Sequence, residues 1–328
     1  MRVLVTAKNG QLGWELARSQ PLPLAASNPE ATNIEAIYFD SKELDICDFD
    51  SVCEKIASFK PDLVINAAAY TAVDKAESDR AAAFLVNQQG AKNLALACKE
   101  QGAKLIHIST DFVFDATKNT PYQPHDCTKP LGVYGASKLA GEEAVLAVLN
   151  DDACIIRTAW VYSSHGNNFV KTMLRLMSER DQLGVVADQV GTPTNANNLA
   201  KAIWLLAEKM THKGLSNQVA KIYHWTDLGT ASWYDFAVAI QELGLAHGLL
   251  RKPITIAPIK ASQYPTPAKR PAYSVLDTSL LRDDLNVPGI HWRTALNTLL
   301  IDLKSRDLKN SDSNKNNKDV LVASENTQ

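Results

Sequence analysis

The chain has 328 residues, of which 45% are hydrophobic and 21% charged, and its 34 basic and 36 acidic side chains leave a formal charge of −2. These values are typical of a globular enzyme of about two domains, and the lack of a basic block outside the C-terminal segment argues against nucleic acid and membranes as partners. Five cysteines without a CxxC pair favour neither a disulfide framework nor a zinc site. No apolar run approaches the ~18 residues of a membrane span and no targeting segment is visible, so we expect a cytoplasmic protein.

Short runs rich in β-branched residues alternate with helical stretches in the first half of the chain. These runs are Val3–Val5, Ile37–Phe39, Leu63–Ile65, Leu105–Ile108 and Cys154–Ile156. Near-continuous apolar strands separated by helices are typical of a parallel sheet that is covered on both faces. The sequence therefore predicts an α/β fold with a Rossmann-type doubly wound parallel sheet.

Beyond residue 160 the pattern loosens. One predicted helix begins at Asn167 or Asn168, and another follows the capping residues of 229–232. Prolines interrupt the chain between 253 and 271, and the segment from Lys304 is polar and low in complexity. We expect a dinucleotide-binding sheet domain over 1–160 with parts of 187–228, a smaller, mainly substrate-binding α+β domain over 161–303, and a disordered tail over 304–328.

A glycine-bearing turn follows the first predicted strand, in the stretch VTAKNGQLG. In an α/β sheet this turn opens onto a helix N-terminus, where free N–H groups and the helix dipole favour a pyrophosphate, so Gly10, Gln11, Leu12 and Gly13 are candidate cofactor-binding residues. Ala7 stands where the usual fingerprint has its first glycine. If that position needs a positive φ, the methyl group costs about 1–2 kcal/mol of strain. If the backbone is extended there, the methyl group only has to fit beside the pyrophosphate.

Three strand ends carry further candidates. Asp40 follows the second predicted strand, where a carboxylate meets the adenosine ribose of a dinucleotide, although a strand-end cap is an equally good interpretation. The third strand ends in Ala67, Ala68 and Ala69, small residues that let a flat cofactor, or a packed helix, lie close to the backbone. The fourth ends in Ser109-Thr110-Asp111, which places hydroxyl groups at the carboxyl edge of the sheet, where ligands bind in open α/β folds. The same hydroxyls can instead cap a turn.

Tyr134 and Lys138 are four residues apart and share one helical face if the segment is helical. A phenol is a poor acid or base at neutral pH, but a neighbouring ammonium lowers its pKa towards the useful range. The same spacing occurs between Tyr38 and Lys42, but that pair begins on a strand and leaves it, so the two side chains need not meet. Pro130 and the upstream Thr110 favour the first pair.

Longer stretches resemble the extended short-chain dehydrogenase/reductase superfamily and, within it, the dTDP-4-dehydrorhamnose reductase family. The most specific stretch is NAAAYTAVDKAE over 66–77, and the others are STDFVF over 109–114, VYGASKLAGE over 133–142, RTAWVY over 157–162, GNNF over 166–169, DQVGTPT over 188–194 and YPTPAKRP over 264–271. The similarity runs from residue 1 to about 303. It implies reduction of the C4 keto group of dTDP-4-dehydro-L-rhamnose to dTDP-L-rhamnose, a sugar donor for bacterial surface polysaccharides.

The resemblance also implies residue roles. Tyr134 would protonate the forming alkoxide while the nicotinamide delivers hydride to C4, Lys138 would hold the cofactor ribose and lower the pKa of Tyr134, and Thr110 would orient the keto oxygen. Arg270 is a candidate for the diphosphate because its fixed fork of donors suits phosphate, although a surface salt bridge is nearly as good an interpretation. The remaining expected contacts are Asp45, Ile46 and Trp160 for the cofactor, and Val73, Asp74, Trp160 and Asn168 for the substrate.

Cofactor choice stays open at this stage. Asp40 favours a free ribose hydroxyl, whereas Ser41 and Lys42 suit a 2′-phosphate, so NADPH and NADH are both candidates. Some members of the family carry a divalent ion at a subunit contact, but Asn197 and Asn198 stand where acidic ligands would be wanted, so the sequence does not support Mg²⁺.

Two alternatives share this fold. One is another nucleotide-sugar 4-epimerase or 4-ketoreductase, which would keep Thr110, Tyr134 and Lys138 and change the sugar pocket. The other is a non-catalytic NADP-binding regulatory protein, which Ala7 alone favours. The intact Thr110, Tyr134 and Lys138 favour catalysis, and the sequence leaves open whether the protein is a monomer or a homodimer.

Overall fold

The structure is a computed structural model that describes residues 1–21, 33–211, 219 and 221–306. The first three residues of the predicted disordered tail, 304–306, lie in this range, and they continue the last helix. The rest of that tail, 307–328, lies outside the described residues.

Within the described residues the main sheet has six strands, and every neighbouring pair in it is parallel, in the order β10-β5-β4-β3-β1-β2. All five predicted apolar runs are strands of this sheet, which confirms the α/β fold with a doubly wound parallel sheet. Its strands are β1 Arg2–Thr6, β2 Glu35–Phe39, β3 Leu63–Asn66, β4 Lys104–Thr110, β5 Ala153–Thr158 and β10 Ile222–His224. The shorter strands are β6 Val161–Tyr162, β7 Gln182–Val186, β8 Val190–Gly191, β9 Thr194–Asn195, β11 Ala231–Ser232 and β12 Thr255–Ile259.

Helices cover both faces of this sheet, and others pack on β7 and β12 in the smaller part of the molecule. They are α1 Gln11–Arg18, α2 Phe49–Phe59, α3 Val73–Ala76, α4 Arg80–Phe84, α5 Ala91–Gln101, α6 Val133–Leu149, α7 Phe169–Glu179, α8 Ala196–Thr211, α9 Trp233–Ala246, α10 Ser279–Leu285 and α11 over 292–306. A π-helical turn, Leu85–Gly90, precedes α5. None of the helices among the described residues is both long enough and apolar enough to cross a membrane.

The strand order places a ligand crevice between β1 and β3. After β1 the chain moves to β2 on one side, and after β2 it crosses to β3 on the other side. Ligands bind at the carboxyl ends of the strands where the direction of winding reverses. The turn after β1 and the ends of β3 and β4 therefore meet at one edge of the sheet.

In the part of the chain that the structure describes, three large apolar cores and a smaller one around Phe114 and Tyr122 hold the elements together. One lies between the sheet and the α1 and α8 face, with Leu16 and Trp204 fully buried. A second lies between the sheet and α2, α5 and α6. The third joins α7, α9 and α11 to the parallel pair β7 and β12, with Phe236 and Leu296 at its centre. The first two cores hold the strands of the main sheet in place, and the third holds α7, α9 and α11 together beside the carboxyl edge of that sheet.

The second half of the chain contributes to the main sheet as well as to the smaller layer. Strand β10 is an edge strand of the main sheet, and α8 packs on α1. The helix predicted at 167 or 168 begins at Phe169 with Asn168 as its cap, and α9 begins after a capping box formed by Ser232 and Asp235. The domain boundaries at 160 and 303 stay predictions.

Candidate active site

Helix α6 brings Tyr134 to the end of β4 because of a glycine. A Cβ atom at Gly135 would lie 2.2 Å from the carbonyl oxygen of Phe112, so only glycine allows the helix to approach this closely. Gly132 precedes the helix in an extended conformation, and the rings of Tyr134 and Phe112 meet edge to face with centroids 5.6 Å apart. The first turn of α6 is thereby held against the turn that follows Thr110.

Lys138 lies one turn further along α6 and is 1% exposed. Its Nζ donates a hydrogen bond of 2.6 Å to the carbonyl oxygen of Ile108 on β4. Burial lowers the pKa of Lys138 to about 8, and the carboxylate of Glu142 opposes that shift. Lys138 is therefore an ammonium whose proton is exchangeable near neutral pH.

The pKa of Tyr134 moves in the direction opposite to the one that we expected from its lysine neighbour. Burial raises the pKa of Tyr134 to about 12, a hydrogen bond with Thr110 opposes the shift, and the charge of Asp111 adds to it. Loss of solvent thus outweighs any help from Lys138. At neutral pH the phenol keeps its proton, which suits a proton donor better than a base.

Thr110 and Asp111 form the other wall of this site. The Thr110 hydroxyl donates to Oδ1 of Asp111 at 3.0 Å and accepts from the backbone N–H of Phe112 at 3.2 Å. Burial raises the pKa of Asp111 to about 6, against hydrogen bonds from Ser274 and Thr110. The predicted strand-end hydroxyl thus has both roles that we considered, because it caps a turn and also lies beside Tyr134.

The glycine loop resolves the question raised by Ala7. Ala7 has a φ of 59°, so the position does adopt the left-handed conformation, and its methyl group costs about 1–2 kcal/mol. Its carbonyl oxygen accepts from the N–H of Gly10 at 2.9 Å. A Cβ atom at Gly13 would lie 2.1 Å from the same oxygen, so Gly13 is what lets α1 pack on the loop. The loop keeps its shape at the expense of strain.

A cavity of about 490 Å³ beside this loop collects the predicted adenosine-side residues. Asp45, Ile46 and Ala68 line it with Asp40. The Asp40 carboxylate accepts from the N–H groups of Lys42 and Glu43 and from the side chain of Asn9. Asp40 is thus a strand-end cap that also faces the cavity, and Ser41 and Lys42 line the same cavity.

A second cavity, of about 560 Å³, contains the residues expected to carry the chemistry. It shares Ala7, Asn9, Gly10 and Ala69 with the first, so the two form one groove along the sheet edge. The sequence-predicted residues that line it are Gly10, Gln11, Leu12, Gly13, Ala67, Ala69, Val73, Thr110, Tyr134, Lys138 and Trp160.

The structure places three predicted substrate contacts outside this lining. Asp74 and Arg270 form a two-pronged ion pair, with distances of 3.0 and 2.7 Å, and Arg270 lowers the pKa of Asp74. Arg270 lines a third cavity of about 760 Å³. Asn168 caps α7, accepting from Lys171 and donating to Gln11, so its side chain is already engaged.

Trp160 lies between two of the cavities described above. Its φ is 47°, a strained value for a bulky residue, and its ring stacks on Trp233 with centroids 3.4 Å apart and planes 8° apart. Trp160 lines the 560 Å³ cavity and Trp233 lines the 760 Å³ cavity, so the stacked pair separates them. Gly191 makes room for the pair, since a Cβ atom there would lie 2.7 Å from the Trp160 ring.

Two features of the site were missed from the sequence. No role was predicted for Trp233, although an aromatic residue directly after the capping residues of a helix was the available signal. No role was predicted for His107, which is fully buried and lies within hydrogen-bonding distance of Lys138. No cluster of three or more His, Cys, Asp or Glu residues that could hold a metal is found within 1–21, 33–211, 219 and 221–306. Here Asn197 contacts Glu15 and Asn198 contacts Asp227.

The parallel sheet, the glycine loop and the Thr110, Tyr134 and Lys138 wall define an oxidoreductase of the short-chain dehydrogenase/reductase type. The sequence profile of the RmlD substrate binding domain matches residues 1–305. The dTDP-4-dehydrorhamnose reductase of Aggregatibacter actinomycetemcomitans is 41% identical over 300 residues, which cover 91% of this chain and 98% of the relative. The chain therefore belongs to this reductase family, and the resemblance seen in the sequence is confirmed.

Solved structures agree with this assignment. A dTDP-4-dehydrorhamnose reductase from Clostridium acetobutylicum superposes with a TM-score of 0.81 at 39% identity, covering 92% of this chain and 99% of that one. The corresponding enzyme of Bacillus anthracis, in complex with NADP, gives a TM-score of 0.79 at 35% identity over the same shares. A UDP-glucose 4-epimerase of Thermus thermophilus, at 20% identity, shares the fold.

Proposed function

We propose that this protein reduces the C4 keto group of dTDP-4-dehydro-L-rhamnose to dTDP-L-rhamnose, with NADPH or NADH as the reductant. The observation that carries the proposal is the meeting of Thr110, Tyr134 and Lys138 in one cavity that continues into the glycine-loop groove. The similarity of nearly the whole chain to reductases of this name supports it. The proposal includes the predicted cytoplasmic location and leaves monomer and homodimer as the two expected states.

The groove fits a dinucleotide. The N-terminus of α1 has no side-chain cap, so its free N–H groups are available to a pyrophosphate. Gly13 keeps the helix close to the loop, the alanines after β3 give a flat wall, and Asp40 faces the adenosine side with Lys42. A bound NADPH or NADH supplies the hydride. This chain contributes the groove that holds it against the sheet edge.

Tyr134 is our proposed proton donor. Its pKa of about 12 keeps the phenol protonated through the neutral range, so that a proton is available to the oxygen that gains charge at C4. Thr110, beside it, positions that oxygen. Lys138 binds the cofactor ribose and returns a proton to the phenolate that remains after each turnover. Acid catalysis of this kind contributes about 10²–10⁴-fold to the rate.

The nucleotide end of the substrate is proposed to occupy the 760 Å³ cavity. That cavity adjoins the catalytic one across Trp160 and Trp233, and apolar side chains of α7 and β7 line much of it. Arg270 lies at its edge with two of its N–H groups on Asp74, and its remaining donors are our proposed diphosphate contact. Val73, which lines the catalytic cavity, is the proposed sugar contact.

The test is a coupled measurement of cofactor and product. Purified protein is incubated with NADPH or NADH and dTDP-4-dehydro-L-rhamnose, the loss of absorbance is followed, and the sugar nucleotide is identified by mass and NMR. Equimolar cofactor loss and dTDP-L-rhamnose formation are expected. A C4 epimer formed without net cofactor loss would favour an epimerase, and cofactor binding without any turnover would favour the regulatory-protein alternative.

A further inference from the structure

A chain of four buried side chains runs beneath the groove from β1 to α6. Thr6, Asn66, His107 and Lys138 are each at most 2% exposed and come from β1, β3, β4 and α6. The successive distances are 2.9 Å from Thr6 Oγ1 to Asn66 Oδ1, 2.9 Å from Asn66 Nδ2 to His107 Nδ1, and 3.3 Å from His107 Nε2 to Lys138 Nζ. Thr6 also binds the backbone of Ala67 and Ala68, which line the proposed cofactor groove.

The hydrogens of this chain can be assigned from the Thr6 end. The Thr6 hydroxyl accepts from the N–H groups of Ala67 and Ala68, each at 3.1 Å, so its only hydrogen is donated to Asn66 Oδ1. The same Oδ1 accepts from the Ala68 N–H at 3.1 Å. Two donors therefore fix the amide oxygen of Asn66 on this side, and its NH₂ group must face His107.

The orientation of Asn66 determines the tautomer of His107. An NH₂ group has no lone pair to offer, so Nδ1 of His107 must be the acceptor and carry no proton. Burial and the nearby charge of Lys138 lower the pKa of His107 well below its usual value, so the ring is neutral. Its one N–H is then on Nε2, which faces Lys138.

An ammonium at Lys138 would set one donor against another across this 3.3 Å contact. The uncharged amine has a lone pair that accepts from Nε2–H while one of its own hydrogens stays on the carbonyl oxygen of Ile108. The tautomer cannot be exchanged without breaking the bond from Asn66. The hydrogen bonds that run from Thr6 through Asn66 to His107 therefore oppose the charged form of Lys138.

We propose that His107 is a positioning residue which, held by Thr6 and Asn66 with its Nε2 hydrogen directed at Lys138, favours the uncharged amine of that lysine. Lys138 then gives up its proton readily, and in the reaction proposed above the N–H bond that breaks on Lys138 is replaced by the O–H bond that forms on the Tyr134 phenolate. This inference rests on the proposed function for its role in turnover, but the tautomer of His107 does not.

Other charged groups surround Lys138 and Tyr134. Glu142, one turn along α6, favours the ammonium of Lys138, but its carboxylate is shared with Arg157 on β5, at 2.6 Å, and with Ser109. Asp111, after β4, faces Tyr134. Among the described groups, His107 is the one that presents an N–H to Nζ, so the variants below leave Glu142, Arg157 and Asp111 in place.

The first test reverses the tautomer. In Asn66→Asp one carboxylate oxygen still accepts from Thr6 and Ala68, while the other accepts a hydrogen bond from an Nδ1–H of His107, so that Nε2 carries no hydrogen and becomes an acceptor for the ammonium. The pKa of Lys138 should rise, and the ammonium needed for reprotonation should persist to higher pH. The alkaline limb of kcat/KM should therefore move up by about one pH unit or more, the size expected for a hydrogen bond to a charged group.

The second test removes the donor and then restores it. His107→Leu should move the alkaline limb in the same direction by about one pH unit. His107→Gln, with its amide oxygen towards Asn66 and its NH₂ towards Lys138, should return the limb towards the wild-type position. His224→Leu is the matched control, because His224 is equally buried on β10 but binds the carbonyl oxygen of Tyr122, and it should leave the limb unmoved.

Nitrogen-15 NMR of the histidines provides a readout that needs no substrate. The proposal expects the His107 proton on Nε2 in the wild type and on Nδ1 in Asn66→Asp. An Nδ1–H tautomer in the wild type, or alkaline limbs of Asn66→Asp and His107→Leu that coincide with the wild type, would overturn it. If the wild type does not turn over the keto sugar, the proposed function fails, and NMR titration of Lys138 in the same variants still decides this inference.

Discussion

Two cations face the cavities of this protein from very different surroundings. Lys138 of α6 is 1% exposed, and its Nζ donates to the carbonyl oxygen of Ile108 on the central strand β4. Arg270 has a side chain that is 27% exposed, lies in a proline-rich segment and pairs with the carboxylate of Asp74. Burial lowers the pKa of Lys138, which suits a group that exchanges a proton, whereas the fixed fork of donors of Arg270 suits binding. The proposed chemistry and the proposed recognition of substrate thus belong to regions of different exposure.

The largest effect that follows from this comparison is on the buried side. Tyr134→Phe removes the proposed proton donor without changing the packing on Phe112, so kcat should fall by at least about 10²-fold while cofactor affinity changes little. Steady-state kinetics and a cofactor titration measure both. Tyr38→Phe is the matched control, since Tyr38 begins the second copy of the same four-residue spacing and binds Gln20 instead. Turnover by Tyr134→Phe at the wild-type rate would show that the proton comes from elsewhere.

A glycine of the same region gives the next effect. In Gly13→Ala the new methyl group would overlap the carbonyl oxygen of Ala7, so either α1 or the loop must shift. We expect a loss of about 1–3 kcal/mol of stability and a marked loss of cofactor affinity, measured by thermal unfolding and by titration. Gly10→Ala is milder because its Cβ atom would lie 3.2 Å from that oxygen. Equal cofactor affinity in Gly13→Ala and the wild type would mean that the loop does not hold the pyrophosphate.

The exposed side should respond in KM and not in kcat. Arg270→Gln should raise KM for the nucleotide sugar about tenfold, equivalent to ~1.4 kcal/mol, with kcat nearly unchanged. Asp74→Asn tests whether the carboxylate acts by holding Arg270, in which case the double variant is no worse than Arg270→Gln. Arg293→Gln, which breaks another exposed pair with Glu242, serves as control. A fall in kcat as large as that of Tyr134→Phe would erase the distinction between the two regions.

The smallest effect is expected at the strained alanine. Ala7→Gly removes about 1–2 kcal/mol of strain but gives back part of it by loosening the unfolded chain, by about 0.4–1 kcal/mol. Stability should rise slightly, and cofactor binding should tighten modestly or not at all. Ala116→Gly, at another alanine with a φ of 60°, should give a similar gain in stability without any change in binding. If Ala7→Gly bound NADPH and the wild type did not, the natural loop would be shown to be disabled.

The same contrast explains what could be predicted from the sequence. The five strands of the first half were predictable because each is a continuous apolar run, and Tyr134 with Lys138 followed from helical spacing. The parallel pair of β7 and β12 was not predicted, since its strands are about 70 residues apart and Pro258 lies within the second. The local glycine pattern left two alternatives for the φ of Ala7, and the structure decides between them. The pKa of Tyr134 depends on burial and on Thr110 and Asp111, which are distant in sequence, so no local pattern could reveal it.

Stacked indoles provide the protein with a built-in optical sensor. Because Trp160 and Trp233 lie face to face between two cavities, their transitions couple, and the coupling depends on the angle and distance between the rings. A ligand that enters either cavity touches one member of the pair. Near-ultraviolet circular dichroism of the unmodified protein should therefore distinguish occupancy of the catalytic cavity from occupancy of its neighbour, without a label or turnover.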